Sequence, residues 1–147
     1  MKYLRTIATY VYLIFGTALA GLTAFLVAIL GDRQGRLWWP TAQLRARGLL
    51  RTGWVSEIRA VNAERLAGLH AAIVMSNHES HFDPPALIAT SRTPLRFLTK
   101  HTLFYFPIFG QAMWAMGYIF INRGNQEKAF RSVGKAAKAI RKGRSVL

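Results

Sequence analysis

The sequence predicts an α/β domain with a largely parallel, layered sheet and flanking helices, preceded by an apolar anchoring helix. Three patterns predict it. From Val55 onward, short β-prone runs alternate with helix-prone ones, the order that builds parallel sheets with helices packed on them. Ahead of them Ile7 to Leu30 contains no charged residue. Polar clusters follow the β-prone runs directly, as Ser76–Asp83 follows Ala71–Met75, and the loops at strand ends are where a rigid sheet presents chemistry to ligand.

The apolar run would form a helix about 36 Å long, more than the roughly 30 Å hydrocarbon layer. Lys2 and Arg5 precede it; Asp32, Arg33 and Arg36 follow, then Trp38-Trp39-Pro40, whose indoles suit a headgroup interface. A cleaved signal peptide is the competing reading, since Ala18-Leu19-Ala20 resembles a processing site. Apolar residues continue from Leu22 to Leu30, well past that site, so a retained anchor over residues 1–36 is the expectation. Positive charge is heavier on its C-terminal side, which favours that side as cytoplasmic. Gly16, Ala20, Gly21 and Ala24 would allow close helix packing.

Residues 37–54 mix Arg45, Arg47 and Arg51 with leucines and three tryptophans. They read as a basic interfacial helix or, with Gly48 and Gly53 interrupting, as an irregular linker. The third region, 55–147, holds the α/β pattern. Val55–Val61 and His70/Ala71–Ser76 are its first expected strands, and Pro84–Thr90 its first helix. Leu95–Thr99 is a third strand, and Thr102–Met116 a helix broken near Pro107. Tyr118–Asn122 is a fourth strand. Asn125 caps a helix reaching about Lys142, stopped by Gly143. Val146-Leu147 read as the start of a further strand, so the sheet is expected to be incomplete through C-terminal truncation.

The 147 residues carry 20 Lys+Arg against 6 Asp+Glu, a formal charge of +14. Such a balance favours polyanionic partners: nucleic acid, anionic headgroups or an acidic carrier protein. The uncharged run and a mean hydropathy of +0.17 turn the choice toward membrane lipid and away from nucleic acid. No cysteine is present, which excludes disulfides and thiolate metal sites.

His78 is the candidate general base, because imidazole ordinarily titrates near neutrality. Asp83 is the candidate carboxylate that orients it, if the residues between fold back as a turn. Asp83 before Pro84 is equally a helix start, with Asp as N-cap. Metal binding by His78, His81 and Asp83 is the rival reading, but the histidines lie three apart with prolines following, unlike a helical zinc motif. Ser80 as a nucleophile lacks the small-residue framing of a nucleophile elbow. His81 is expected to line the turn or face solvent, and solvent-facing roles are expected for His70 and His101. Lys100 and Arg123 close successive strands, where a ligand phosphate could sit. Lys128, Arg131, Lys135, Lys138 and Arg141/Lys142 recur at helical spacing opposite Phe130, Val133, Ala137 and Ile140, which predicts one basic face and one core face.

With these residues in view, the sequence resembles the 1-acylglycerol-3-phosphate acyltransferase family, the lysophosphatidic acid acyltransferases of phospholipid synthesis. Asn77 to Asp83 matches its N-H-x-x-x-x-D block, in which Ser80 also lies. Lys100-His101-Thr102-Leu103 with Pro107 and Gly110 resembles the next block, and Gly117 to Arg123 the G-x-I-F-I-x-R block. The resemblance implies transfer of an acyl group from acyl-CoA or acyl-carrier protein to the hydroxyl of a lysophospholipid. His78 and Asp83 would be catalytic, with Lys100 and Arg123 beside the acceptor phosphate. It implies no metal and no bound cofactor, and a membrane location with the site on the cytoplasmic face. The family's F-P-E-G-T-R-S block does not occur in these residues, so this chain by itself is expected to be inactive or nearly so. Other lyso-lipid acceptors, or a non-catalytic basic membrane protein, are the alternatives.

Overall fold

The computed structural model describes every residue except Met1, Arg33, Gln34, Trp54 and residues 67–70, and leaves the side chains of Lys2 and Arg5 undescribed. His70 and Trp54 therefore lie outside the described residues. The apolar run forms α1 (Lys2–Val11) and α2 (Thr17–Ile29), joined without a break by a π-helical turn at Tyr12–Gly16. Thr6–Ile29 is 24 residues of helix, long and apolar enough to cross a membrane by length and composition.

One side of this long helix is committed to the domain. The Thr9 hydroxyl donates to the Thr52 carbonyl, and the Tyr12 hydroxyl to that of Arg45. Further along, Gly21 and Ala24 are buried, and a Cβ at Gly21 would stand 3.4 Å from Ile108 and 3.6 Å from Ala112. Contact thus runs from Thr9 to Ala24, about 22 Å of helix. The opposite side, with Ile7, Ile14, Leu22, Leu26 and Ile29, is exposed.

Next comes α3 (Trp38–Thr52). Its first turn is held by Asp32, whose carboxylate accepts from the backbone N–H groups of Gly35, Arg36, Leu37 and Trp38 at 2.8–3.1 Å. Those of Leu37 and Trp38 are among the donors a helix start leaves unpaired. Burial alone would raise the Asp32 pKa, but the four N–H bonds outweigh it and hold the group below its ordinary value. Trp38 and Trp39, expected at a headgroup interface, are 0 % and 3 % exposed. With Ala24 and Leu95 they form the larger core cluster; indoles supply more buried apolar area than any other side chain here. Buried Arg96 lies with its guanidinium carbon 5.2 Å above the Trp38 ring.

α3 runs antiparallel to α4 (Asp83–Thr90). Gln43 donates to the Ser91 carbonyl at 2.7 Å at one end, and Gly53 meets Phe82 at the other, where a Cβ would come within 2.4 Å of the ring. Ala46, Leu50 and Ala89 form a second core cluster in this seam. The expected interruption at Gly53 is thus a close approach between two helices.

The sheet is parallel throughout its paired residues. β1 (Leu95–Arg96) pairs with β4 (Ser145–Val146), and β2 (Leu98–Lys100) with β3 (Ile119–Ile121). Only Phe97 separates β1 from β2, and its carbonyl accepts from Ile119 N–H. Ile73 bridges Val146 in parallel, with Val74 N–H donating to the Val146 carbonyl at 2.8 Å. Four extended segments therefore lie side by side in the order 72–74, 145–147, 95–100, 119–121. The expected strand at 71–76 is reduced to this one bridge, and the expected strand at 55–61 is unpaired and largely exposed.

Two connections step in one direction across this order and the third steps back. α4, and then α5 (Phe109–Ala115) after a 3₁₀ turn at His101–Tyr105, lie on the forward crossings; α6 (Gln126–Arg141) lies on the return. Crossovers between parallel strands are right-handed, so α6 occupies the face of the sheet opposite α4 and α5. α2 and α3 pack on α5 and α4 and belong to the latter face. α6 begins as expected, with the Asn125 side chain accepting from Lys128 N–H at 2.9 Å. It ends before Gly143 at φ 77°, a backbone angle that favours glycine. Its inner side differs from expectation: Phe130 and Val133 are 68 % and 52 % exposed, and buried Ser132 faces inward, its hydroxyl bonded to the Phe120 carbonyl. The inward arc is centred near Ala129, Ser132 and Ala136, because small side chains let the helix settle close to the sheet.

Candidate active site

The chain leaves the 72–74 segment and turns sharply before α4. One carboxylate oxygen organises that turn. Asp83 Oδ2 accepts from Glu79 N–H and Ser80 N–H, both at 2.7 Å, and lies 2.9 Å from His78 Nδ1. A carboxylate accepts only, so Nδ1 carries the proton and Nε2 is left with its lone pair outward. Ser80 Oγ accepts from Phe82 N–H and is thereby part of the turn. The backbone bond to Ser80, then the His78 contact and the bond to Glu79, hold the Asp83 carboxyl below its usual range.

Asp83 does not cap α4. The N-cap position is Phe82, without a side-chain cap, and the Asp83 carboxylate points back to residues 78–80. The reason is local: Pro84 and Pro85 have no N–H, and the first available donor, Ala86 N–H, already bonds the Phe82 carbonyl at 3.0 Å. With no forward donor to satisfy, the carboxylate is free for the turn behind it.

Lys100 ends β2 and Arg123 follows β3, so both leave the same carboxyl edge of the parallel sheet as the His78 turn. All four side chains line one cavity of about 810 Å³, within the roughly 300–1,000 Å³ common for small-molecule sites. His81 lines it too. His78 keeps 61 % of its side chain exposed, and Lys100 and Arg123 are exposed cations, which puts polar groups at an accessible mouth.

Deeper walls are apolar and come from unexpected places. Leu13, Ala20, Gly21 and Ala24 of the N-terminal helix line the cavity, with Leu49 of α3 and Met113 of α5. Arg45 lines it as well; its guanidinium bonds the Thr17 hydroxyl, and burial holds its pKa below the ordinary arginine value. The small residues Gly21 and Ala24 carried the sequence signal for close approach, but not the identity of the surface approached.

Asn77 is exposed at the start of the turn and does not line the cavity. Pro107 and Gly110 act at a distance from it. Phe109 N–H bonds the Pro107 carbonyl at 2.7 Å, while buried Gly110 passes so near the preceding turn that a Cβ would lie 2.0 Å from the Phe104 carbonyl oxygen. Together they fold the segment leading from β2 into α5, from which Leu103 and Phe109 line the cavity. Among the described residues, no group of three His, Cys, Asp or Glu side chains is arranged to hold a metal.

An acyltransferase family model matches residues 57–147, well over half of the chain, including His78, Asp83, Lys100 and Arg123. The chain belongs to the acyltransferase family. A 1-acyl-sn-glycerol-3-phosphate acyltransferase of Borreliella burgdorferi is 33 % identical over 95 residues, 63 % of this chain and 38 % of the relative. Proteins of the same description from Salmonella typhimurium and Escherichia coli are each 29 % identical over 73 residues, covering 50 % of this chain and 30 % of theirs. The matched stretches cover 30–38 % of those relatives' lengths. No solved structure matches it.

Proposed function

We propose that the site transfers a fatty acyl group from acyl-CoA or acyl-carrier protein to the free hydroxyl of a lysophospholipid, converting 1-acylglycerol-3-phosphate to phosphatidate. The observation that carries this reading is the 2.9 Å contact between His78 Nδ1 and Asp83 Oδ2 inside a cavity that is cationic at its mouth and apolar within. His78 Nε2 takes the proton of the acceptor hydroxyl as its oxygen attacks the thioester carbonyl. The tetrahedral intermediate collapses, the C–S bond breaks, and His78 returns the proton to the leaving thiolate. Asp83 fixes the ring and stabilises the imidazolium formed between the two steps. Lys100 and Arg123 hold the acceptor phosphate, and the apolar walls take hydrocarbon. No resident cofactor enters this scheme.

The exposed apolar side of the N-terminal helix supports a membrane location, with the mouth on the cytoplasmic side. The 147 residues alone are proposed to transfer acyl groups poorly, because the F-P-E-G-T-R-S block that completes the family's phosphate site does not occur in them. The test uses protein expressed from the complete open reading frame, with lysophosphatidate and acyl-CoA or acyl-carrier protein. His78→Ala is expected to lower kcat by about 10²–10⁴-fold. Transfer at the unmodified rate in that variant would sink the mechanism; transfer only to a different lyso-lipid would replace the acceptor.

A further inference from the structure

The basic stripe of α6 has no part in the proposed chemistry, and its position separates it from the lipid-facing surface. Lys128, Arg131, Lys135, Lys138, Arg141 and Lys142 are all exposed. They lie along one flank of the helix for about 21 Å. The acid on this helix, Glu127, bonds Arg131 at 2.5 Å, leaving a strong net positive charge. Apolar Phe130 and Val133 occupy the other flank.

The apolar outer side of α1 and α2 and the basic flank of α6 are on opposite faces of the sheet, as the crossover handedness requires. A bilayer seated on the first is turned away from the second. The stripe also begins beside the site. α6 starts just after Arg123, which lines the cavity mouth, and Lys128 and Arg131 occupy its first turns. Apart from Glu127, which pairs with Arg131, exposed charge from Arg123 at the mouth along this flank is positive. We propose that this flank of α6 docks a small acidic soluble protein that carries the acyl thioester on a flexible arm. The arm is required because the stripe faces outward while His78 lies around the edge of the sheet. This inference rests on the acyl-transfer reading for the identity of the cargo, but not for the docking itself.

The experiment compares the complete open reading frame with its K128E/K135E/K138E variant, using three probes. Binding of fluorescently labelled acyl-carrier protein, measured by anisotropy, is expected to weaken about tenfold or more in the variant, and to weaken with added salt in the parent. The KM for acyl-carrier protein should rise in step while transfer from acyl-CoA is unchanged. Flotation with phosphatidylglycerol-rich vesicles should also be unchanged. Equal carrier binding by variant and parent overturns the proposal, as does loss of vesicle binding with carrier binding intact, which would assign the stripe to the membrane. A protein that binds carrier through α6 yet transfers nothing would keep the docking surface and remove the acyl-transfer reading.

Discussion

His78 and Asp83 are five positions apart in sequence, and their side chains meet at 2.9 Å across a turn that the same carboxylate closes through two backbone N–H groups. Orientation of the imidazole and formation of the turn thus depend on one oxygen atom. Capping of α4, the other role open to Asp83, is unused.

Asp83→Asn separates charge from hydrogen bonding. The amide oxygen can still accept from Glu79 and Ser80, so the turn and the thermal midpoint should change little. The negative charge that stabilises the imidazolium is gone, and kcat should fall by about 10²-fold or more. Steady-state rates and a melting curve on the same preparation check both halves. Full activity in the Asn variant would reduce Asp83 to a turn former.

The turn should also respond to acid in a defined direction. The folded Asp83 pKa lies below its ordinary value of 3.8. Its contribution to folding is therefore complete above the unfolded pKa and is lost as pH falls through the lower, folded value. Amide resonances of Glu79 and Ser80 should hold steady down to about pH 4 and move together below it. Movement centred above that pH would contradict the depressed pKa.

Lys100 and Arg123 are exposed at the mouth, so neutralising them should spare folding. Lys100→Gln and Arg123→Gln are expected to raise the KM for lysophosphatidate about tenfold each, the scale of a charge-assisted hydrogen bond. An acceptor of the same chain length without phosphate should show no such difference between variant and parent. Equal losses with both acceptors would assign these cations to the acyl donor.

Gly110 tests the support beneath the site. A methyl group there would need the space of the Phe104 carbonyl, 2.0 Å away, and backbone yields less readily than a side chain. Gly110→Ala should cost about 1–3 kcal/mol, seen as a lower denaturant midpoint, with activity lost through displacement of the segment after Lys100. An unchanged midpoint would show that the turn at Pro107 relaxes freely.

Local pattern was enough for the apolar helix, for α4 to α6 and for the contact between His78 and Asp83. Asn125 and Gly143 bracket α6, Pro107 divides the 101–116 segment, and the spacing from His78 to Asp83 marks a turn, because capping, proline geometry and short-range hydrogen bonds are set by neighbours in the chain. The segment 55–61 looks equally β-prone but has no partner; whether an extended run becomes a strand depends on what lies beside it. Phe130 and Val133 misled for a related reason: periodicity gives a helix two sides, while the sheet beneath α6 accepts the side with the smaller residues.

By itself, then, the sequence determined the apolar helix and α4 to α6, the polar turn at His78 and the order of the blocks that mark the family. Tertiary structure alone decided that Trp38 and Trp39 are core instead of interface, that Asp83 turns backward, and that Leu13, Ala20, Gly21 and Ala24 of the N-terminal helix wall the cavity. The physical reason is the range of the interactions. Caps and turns are satisfied within a few residues, whereas close packing joins surfaces remote in sequence whose fit no single stretch encodes.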